Sequence, residues 1–558
     1  MALSNRSIAY LPRLVKPLKN DMKKRLFLPL AVLLALPLGL LAQVRYVDDI
    51  FNDDDIVVTE DVVYGMNFSA YVPATLGGPQ VIPLYADVYM ADPMVDNVMD
   101  RPVVIYLHTG SFLPKGLASP LGWQKDSAAV EICQRLAKKG YVAISATYRL
   151  GWQANNTQNL DLRRGSNLMA VYNAVQDAKT AVRFVRASKQ VQLPTLPAID
   201  PFHVDPMNVM LIGQGSGGYI TLAYGALSDL SEVTAPTKFQ YTDTVGILGG
   251  TVGVGDPYVD TAVIGDWNGF GGAATISGTN PTTGLPLIDF SQPGRNIENY
   301  AGVPDQVSLV MNMGGALGDS AWSDAGETPV VSVHCRYDFF APYYRGMVRV
   351  PVAGQFWDVV DVAGSHTAVK SANITGNNSI FVNAGYNDVY TQKALSNPSN
   401  VGQYEGIYTM NIPPADPTLP FAVNSNPWDY WDPSDPLSAN ETNPNLKAQS
   451  RAYIDTVMGY FIPRMATVMG IGMGAEEIAP AEIDLRIYPN PANDHLNVRS
   501  FSGPIVEIKM LDITGKTVRV VRGTSDAERI ELLDLRAGVY LLSVRTEQGS
   551  TFRKVTVQ

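Results

Sequence analysis

Hydrophobic and polar positions alternate between two periods along most of this chain. Short uninterrupted apolar runs stand at Val103–Leu107, Val142–Ala146, Val209–Ile212, Val245–Leu248, Val330–Val333 and Val359–Val362. Runs of that length, bounded by turn residues, are expected of strands buried on both faces. Helical periods separate them at Ala129–Lys138 and Leu168–Ala187. In the second, Val171, Val175, Ala178, Val182 and Val185 recur at steps of four and three and share one face. Over residues 43–470 this alternation predicts an α/β domain, a mostly parallel sheet with helices on both faces. Two stretches depart from it. Residues 253–327 are rich in Gly, Thr and Asn, and residues 370–444 carry Asn, Ser and the proline-rich run Ile412–Pro420. Both are expected to be long insertions that roof a site, because loops of this length inside a compact domain usually do so. A helix over Tyr453–Phe461, ended by Pro463, closes the domain, and residues 471–483 read as a linker.

The ends follow other patterns. Leu26–Ala42 is apolar, holds Pro29 and Pro37, and follows Lys23, Lys24 and Arg25. Such a stretch reads as a secretory signal peptide over residues 1–42, and with two prolines it sits at the short limit of the roughly 17 to 25 residues that span a bilayer. Met22 stands directly before the basic triplet and is the expected true start. Beyond Ile483 the period falls to two, in short segments split by Gly, Asn and Pro, as in a small antiparallel sandwich of immunoglobulin-like type over residues 484–558.

Composition narrows the chemistry. The 558 residues carry a net charge of −11, which leaves no basic field for a nucleic acid partner. Two cysteines exclude a disulfide scaffold, and five scattered histidines without a close pair argue against a metal site. No cofactor is called for, so any chemistry must come from ordinary side chains. The run Asp53–Asp55 has no calcium-loop spacing and reads as a solvated turn. Cys133 and Cys335 are expected as two buried thiols, and the aromatic run Pro427–Asp432 either stacks on a ligand ring or anchors the cover from inside.

At the C-terminus, Tyr488-Pro-Asn-Pro-Ala492, Asp512-Ile-Thr-Gly-Lys516, Leu535-Arg-Ala-Gly-Val-Tyr540 and Lys554-Val-Thr-Val resemble, in order, the type A sorting domain of the Bacteroidetes type IX secretion system. The resemblance implies passage through the periplasm and across the outer membrane by that machinery, ending in release or cell-surface attachment.

A second resemblance covers most of residues 80–370. Strand Asn208–Ile212 runs into Gly213-Gln-Gly-Ser-Gly-Gly218 and then an apolar helix, Tyr219–Ala226. Strand, sharp glycine-rich turn and helix is the geometry of a nucleophile elbow. Leu107-His-Thr-Gly-Ser-Phe112, Thr147-Tyr-Arg-Leu-Gly151, Gln176-Asp-Ala-Lys-Thr-Ala181 and His334-Cys-Arg-Tyr-Asp338 are similar to motifs of the α/β-hydrolase family, in its carboxylesterase and hormone-sensitive-lipase branch. The resemblance implies an esterase acting on a small-molecule or polymeric ester. Ser216 would attack the carbonyl, His366 would carry the proton, Asp338 would orient His366, and backbone N–H groups near Gly110 and Ser111 would hold the oxyanion. His366 falls in Gly364-Ser-His366, expected to close the last strand. His108 in such a loop reads more naturally as a brace than as a reactant, and His334, His203 and His495 as structural.

The elbow itself leaves two readings open. Matching its glycines Gly213, Gly217 and Gly218 to the family pattern puts Gly215 at the nucleophile position, which would make the chain an inactive binding or surface protein. Making Ser216 the nucleophile shifts the register and puts the bulky Gln214 two places ahead of it.

Overall fold

The computed structural model describes residues 43–558 apart from 73–76, 116–120, 157, 353–354, 414–424, 431–446, 472–484, 502, 513–516 and 547–548. The expected signal peptide, most of the linker and most of the proline-rich run lie outside the described residues.

Eight strands form one sheet. They are β1 (Ile56–Ser69), β2 (Gln80–Ala91), β3 (Arg101–Leu107), β4 (Val142–Ala146), β5 (Val204–Gln214), β6 (Leu309–Met313), β7 (Val330–Cys335) and, last in chain order, β10 (Ile407–Met410). Their order across the sheet is β1-β2-β4-β3-β5-β6-β7-β10. β1 and β2 pair antiparallel, β2 meets β4 antiparallel, and every later pairing is parallel. The central strands β3, β4, β6 and β7 are buried along their whole length, as a parallel sheet covered on both faces requires. The helices α1 (Ser127–Lys138), α2 (Leu160–Gln190), α3 (Ser216–Ala226), α4 (Ser365–Ile374) and α5 (Lys447–Val468) supply that cover. One apolar cluster joins α2 and α3 to the sheet, and another joins α1 and α5. This is the α/β-hydrolase strand order.

Two of the expected strands are elsewhere. Val245–Leu248 is a surface turn, closed by Gly246 N–H to Gly250 O and Gly249 N–H to Gly246 O, with Val245 and Leu248 exposed. The sixth place belongs to β6, inside the stretch expected to be an insertion. Its polar Asn312 is tolerated there because its amide donates to Ser332 Oγ (3.1 Å) and Ser365 Oγ (2.7 Å) and its Oδ1 accepts from Gly315 N–H (2.7 Å). Val359–Val362 lies in β9 (Gln355–Gly364), which pairs with β8 (Arg345–Val352) and with Ala316–Leu317 in a separate antiparallel sheet. The eighth place belongs to β10, inside the second supposed insertion. The closing helix also runs past its expected end, with Pro463 inside α5.

Arg149 of the Tyr148-Arg-Leu-Gly151 motif and Asp177 of the Gln176-Asp motif meet in a buried ion pair. Arg149 Nη2 lies 2.8 Å from Asp177 Oδ1, and the Arg149 N–H donates to Asp177 Oδ2 at 2.8 Å. This clamps α2 to the loop after β4. Asp53 of the acidic run sits in a single 3-10 turn and pairs with Lys138 at 3.1 Å. Cys133 and Cys335 are free, buried thiols.

The C-terminal strands form a four-stranded and a three-stranded antiparallel sheet with their own apolar cluster, including Leu496, Val498, Ile508, Ile530, Leu542 and Val555. Alternating burial along Ile505–Leu511 and Gly538–Thr546 is the period-two pattern of that region.

Candidate functional site

Beyond the C-terminal ends of β3, β5 and β6 lies a cavity of about 710 Å³. Its wall includes Thr109, Gly110, Ser111 and Phe112 from the loop after β3, Gly215, Ser216 and Tyr219 from the elbow, Asp338 after β7, Ser425 and Asn426 after β10, and Val348, Val350, Val360 and Val362 from the β8–β9 hairpin. The crevice beyond the carboxyl ends of parallel strands is where open α/β sheets place ligands. Among the described residues, the two long stretches reach it through Gly314–Trp322 and Ser425–Asn426.

The elbow takes the register of the matched glycines. Gly215 stands at the apex between β5 and α3 with φ +53° and ψ −114°, a conformation that glycine adopts without steric cost. A Cβ on Gly213 would come within 2.0 Å of Gly217 O, and one on Gly217 within 2.0 Å of Leu107 O. Gln214 is accommodated by facing the other way: the Tyr106 hydroxyl donates to its Oε1, and its amide donates to Asp429. Thr109 fills the space a nucleophile would need, with its Oγ1 only 2.1 Å from an ideal Cβ on Gly215.

Ser216 opens helix α3, and its hydroxyl is engaged with the Tyr148 hydroxyl at 2.9 Å. The Tyr148 hydroxyl also donates to His108 O (2.8 Å), and the two rings stack with centroids 4.5 Å apart. His108 is buried, and burial pushes its pKa down.

In the oxyanion loop, Gly110 (φ +119°) approaches Gly122 so closely that a Cβ would meet Gly122 Cα at 2.5 Å. Ser111 and Phe112 both take φ +56°, an uncommon conformation for side-chain-bearing residues that surrounding contacts must hold. Trp152 Nε1 donates to Ser111 O at 2.8 Å, and Gly151 N–H donates to Phe112 O at 2.7 Å.

The acid and the base do not meet. Asp338 Oδ1 accepts from Phe340 N–H (2.7 Å) and Ala341 N–H (3.1 Å), with a further bond from the Ser425 side chain. Its side chain is 2% exposed, and burial pushes its pKa up to about 7. His366 lies in the first turn of α4, before β10 rather than after it. Its Nε2 bonds Val401 O at 3.0 Å, and Tyr343, Tyr344 and Tyr404 pack around the ring. It does not line the cavity. The expected placement fails because His366 was tied to Val359–Val362 as the last strand of the sheet. After the true last strand, Ser425 and Asn426 are the described residues that reach the cavity, and no histidine occurs in the sequence between His366 and His495.

Another serine–histidine–aspartate contact exists, with Ser365 Oγ 2.5 Å from His334 Nδ1 and His334 Nε2 3.6 Å from Asp338 Oδ2. Ser365 and His334 are fully buried, Nε2 is occupied by Ala341 O at 3.1 Å, and burial pushes His334 down to about 4. The pair fastens α4 to the sheet. Trp428, completely buried, shows that the Pro427–Asp432 run anchors from inside at that residue. Thr109, Ser425 and Asn426 went unmarked in the sequence. Only Thr109 carried a signal, standing where the family motif His-Gly-Gly has its first glycine.

No curated protein matches the chain. Among solved structures, the native esterase 2 of Thermogutta terrifontis is 13% identical, with 76% of this chain and 96% of that one covered and a TM-score of 0.34. The propionate-bound form of that esterase gives the same identity and TM-score, with 98% of its chain covered. The strand order, rather than these alignments, carries the fold assignment. Residues 486–558 match the family described as secretion system C-terminal sorting domain. The chain therefore joins a domain of α/β-hydrolase fold to a secretion system C-terminal sorting domain.

Proposed function

We propose that this is an exported, non-hydrolytic ligand-binding protein that keeps the hydrolase pocket and lacks the means to cleave an ester. The observation that carries it is Gly215 at the elbow apex with the Thr109 hydroxyl in the nucleophile's space. The remaining geometry agrees: Ser216 is tied to Tyr148, His366 to Val401, and no histidine lines the cavity among the described residues. Serine ester hydrolysis needs a hydroxyl within hydrogen-bond reach of a base that can take its proton, and among the described residues neither Ser216 nor Thr109 has one.

Export across the outer membrane follows from the sorting domain, with the type IX machinery as its partner. Deleting residues 484–558 is expected to leave the protein in the periplasm, read by fractionation of cells.

The decisive experiment treats the purified full chain with a serine-directed fluorophosphonate and assays short-chain aryl esters. No labelling and no turnover are expected. Labelling lost in Ser216→Ala or His366→Ala would overturn the proposal and restore the esterase reading.

A further inference from the structure

One stretch of the cavity wall owes nothing to the elbow or to the loop after β3. Arg164, Asn167, Leu168 and Val171 of α2 all line the cavity, and their spacing puts them on a single face of that helix. The Arg164 guanidinium is half-buried and fixed in place, because its Nε donates to Val359 O at 2.8 Å and the group also bonds the Tyr258 hydroxyl. No carboxylate pairs with it among the described residues. Asp161, one turn earlier, accepts from the Tyr258 hydroxyl at 2.8 Å and from the Thr242 N–H at 2.7 Å, while Asp358 Oδ1 lies 2.8 Å from Arg349 Nε. A guanidinium has five N–H donors, and a cation withdrawn from water is costly unless an opposite charge meets it. Asn155 and Asn167 line the same cavity, and their side-chain amides have no hydrogen-bond partner among the described residues.

Arg349 also lines the cavity, but its side chain is 54% exposed and its charge is answered by Asp358. The rest of the wall offers rings. Trp152, Phe239 and Trp322 line it, and Phe239 packs against Trp322 with ring centroids 5.8 Å apart. Trp152 Nε1 is spent on Ser111 O and Trp322 Nε1 on Glu232 O, both at 2.8 Å. These indoles therefore present apolar ring surface to a ligand, which favours a flat aromatic partner.

We infer that Arg164 is the specificity-determining residue of this cavity and reads the carboxylate of an aromatic acid, whose ring system packs among the aromatic side chains of the wall. The guanidinium and carboxylate match as a two-pronged pair, and the Asn167 amide, on the same helix face, is a second donor for the carboxylate. The inference deepens the ligand-binding reading above and rests on it.

The test is calorimetric titration of the full chain with naphthalene-2-carboxylate, its neutral carboxamide and octanoate, for the parent, Arg164→Gln, Arg164→Lys and Arg349→Gln. At pH 6 an ordinary carboxylic acid is ionised, whereas Asp338, pushed up to about 7 by burial, is mostly protonated and does not repel it. A hydrogen bond between charged groups is worth enough that its loss weakens binding roughly tenfold or more. The parent is expected to bind the naphthoate at least tenfold tighter than the carboxamide and severalfold tighter than octanoate. Arg164→Gln should remove about tenfold of the naphthoate affinity and leave the carboxamide's unchanged, Arg164→Lys should recover part of the loss, and Arg349→Gln should keep the preference. Equal binding of acid and amide by the parent, or an acid preference that survives in a folded Arg164→Gln, would overturn the inference; octanoate binding as tightly as the naphthoate would overturn its aromatic part. Fluorophosphonate run alongside separates the two claims. Labelling defeats the non-hydrolytic reading whatever the acids do, and absent labelling with equal binding of acid and amide defeats this inference alone.

Discussion

The two halves of the pocket differ in how much of each is built from backbone and how much from side chains. On the elbow side the backbone is kept: Gly215 takes the apex conformation, Gly213 and Gly217 keep their close approaches, and Ser111 and Phe112 are held at positive φ by Gly151 and Trp152. On the proposed reading, what this side lacks is the reactive side chain. On the side of β7 and β10 the wall rests on side chains: Asp338 after β7 and, among the described residues, Ser425 and Asn426 after β10. The difference teaches that oxyanion donors are properties of the backbone and persist as long as the fold does, whereas a proton relay depends on individual side chains.

The comparison breaks most visibly at Asp338. Its folded-state pKa is pushed up to about 7 by burial, against an ordinary carboxyl value of 3.8. The folded protein therefore binds a proton more tightly than the unfolded chain, and this group's contribution is lost as pH rises from about 4 to about 7. Asp338→Asn removes that dependence, so the variant should gain on the parent by up to about 4 kcal/mol at pH 8 and show little gain at pH 4. Urea denaturation at both pH values measures it. Asp429 and Glu327, pushed up to about 8, titrate in an overlapping window, which is why the difference between parent and variant is the quantity to read. A variant less stable than the parent at pH 8 would mean that Asp338 has a cationic partner and that the relay side is intact.

Gly217→Ala tests the other half. Its Cβ would stand 2.0 Å from Leu107 O and 2.9 Å from His108 O, both backbone atoms that cannot swing aside. A loss of about 3 kcal/mol is expected, at the upper end of overpacking. Tolerance of alanine at this position would show that the elbow backbone is not held as described, and that its donors are not preorganised.

The fold was largely legible because four of the six apolar runs are strands of the sheet and the elbow glycines specify their own turn. What misled was the reading of long polar stretches as insertions. β6 carries Asn312 in its middle, and its place became visible only once Ser332 and Ser365 supplied partners from other elements. β10, only four residues long, is hidden among Asn and Ser. Val359–Val362 imitated it because a short apolar run reads alike whether its strand pairs antiparallel, as here, or parallel, as β10 does. The misplaced last strand carried His366 with it, so the site error follows from a topological one. Gly215 was readable at once from the glycine pattern. That Thr109 fills its space was not, since a contact between β3 and β5 loops more than a hundred residues apart leaves no local trace.

The smallest effect is the one that discriminates best between the two readings of the elbow. Ser216 opens α3 with its backbone N–H and engages Tyr148 with its hydroxyl, and these are separable. Ser216→Ala deletes the hydroxyl and keeps the N–H. Tyr148 retains its bond to His108 O at 2.8 Å, so the loss of one neutral hydrogen bond should lower stability by about 1 kcal/mol. A much larger loss, or fluorophosphonate labelling of the parent that this substitution abolishes, would give the Ser216 hydroxyl a role beyond its bond to Tyr148 and favour the shifted reading of the elbow.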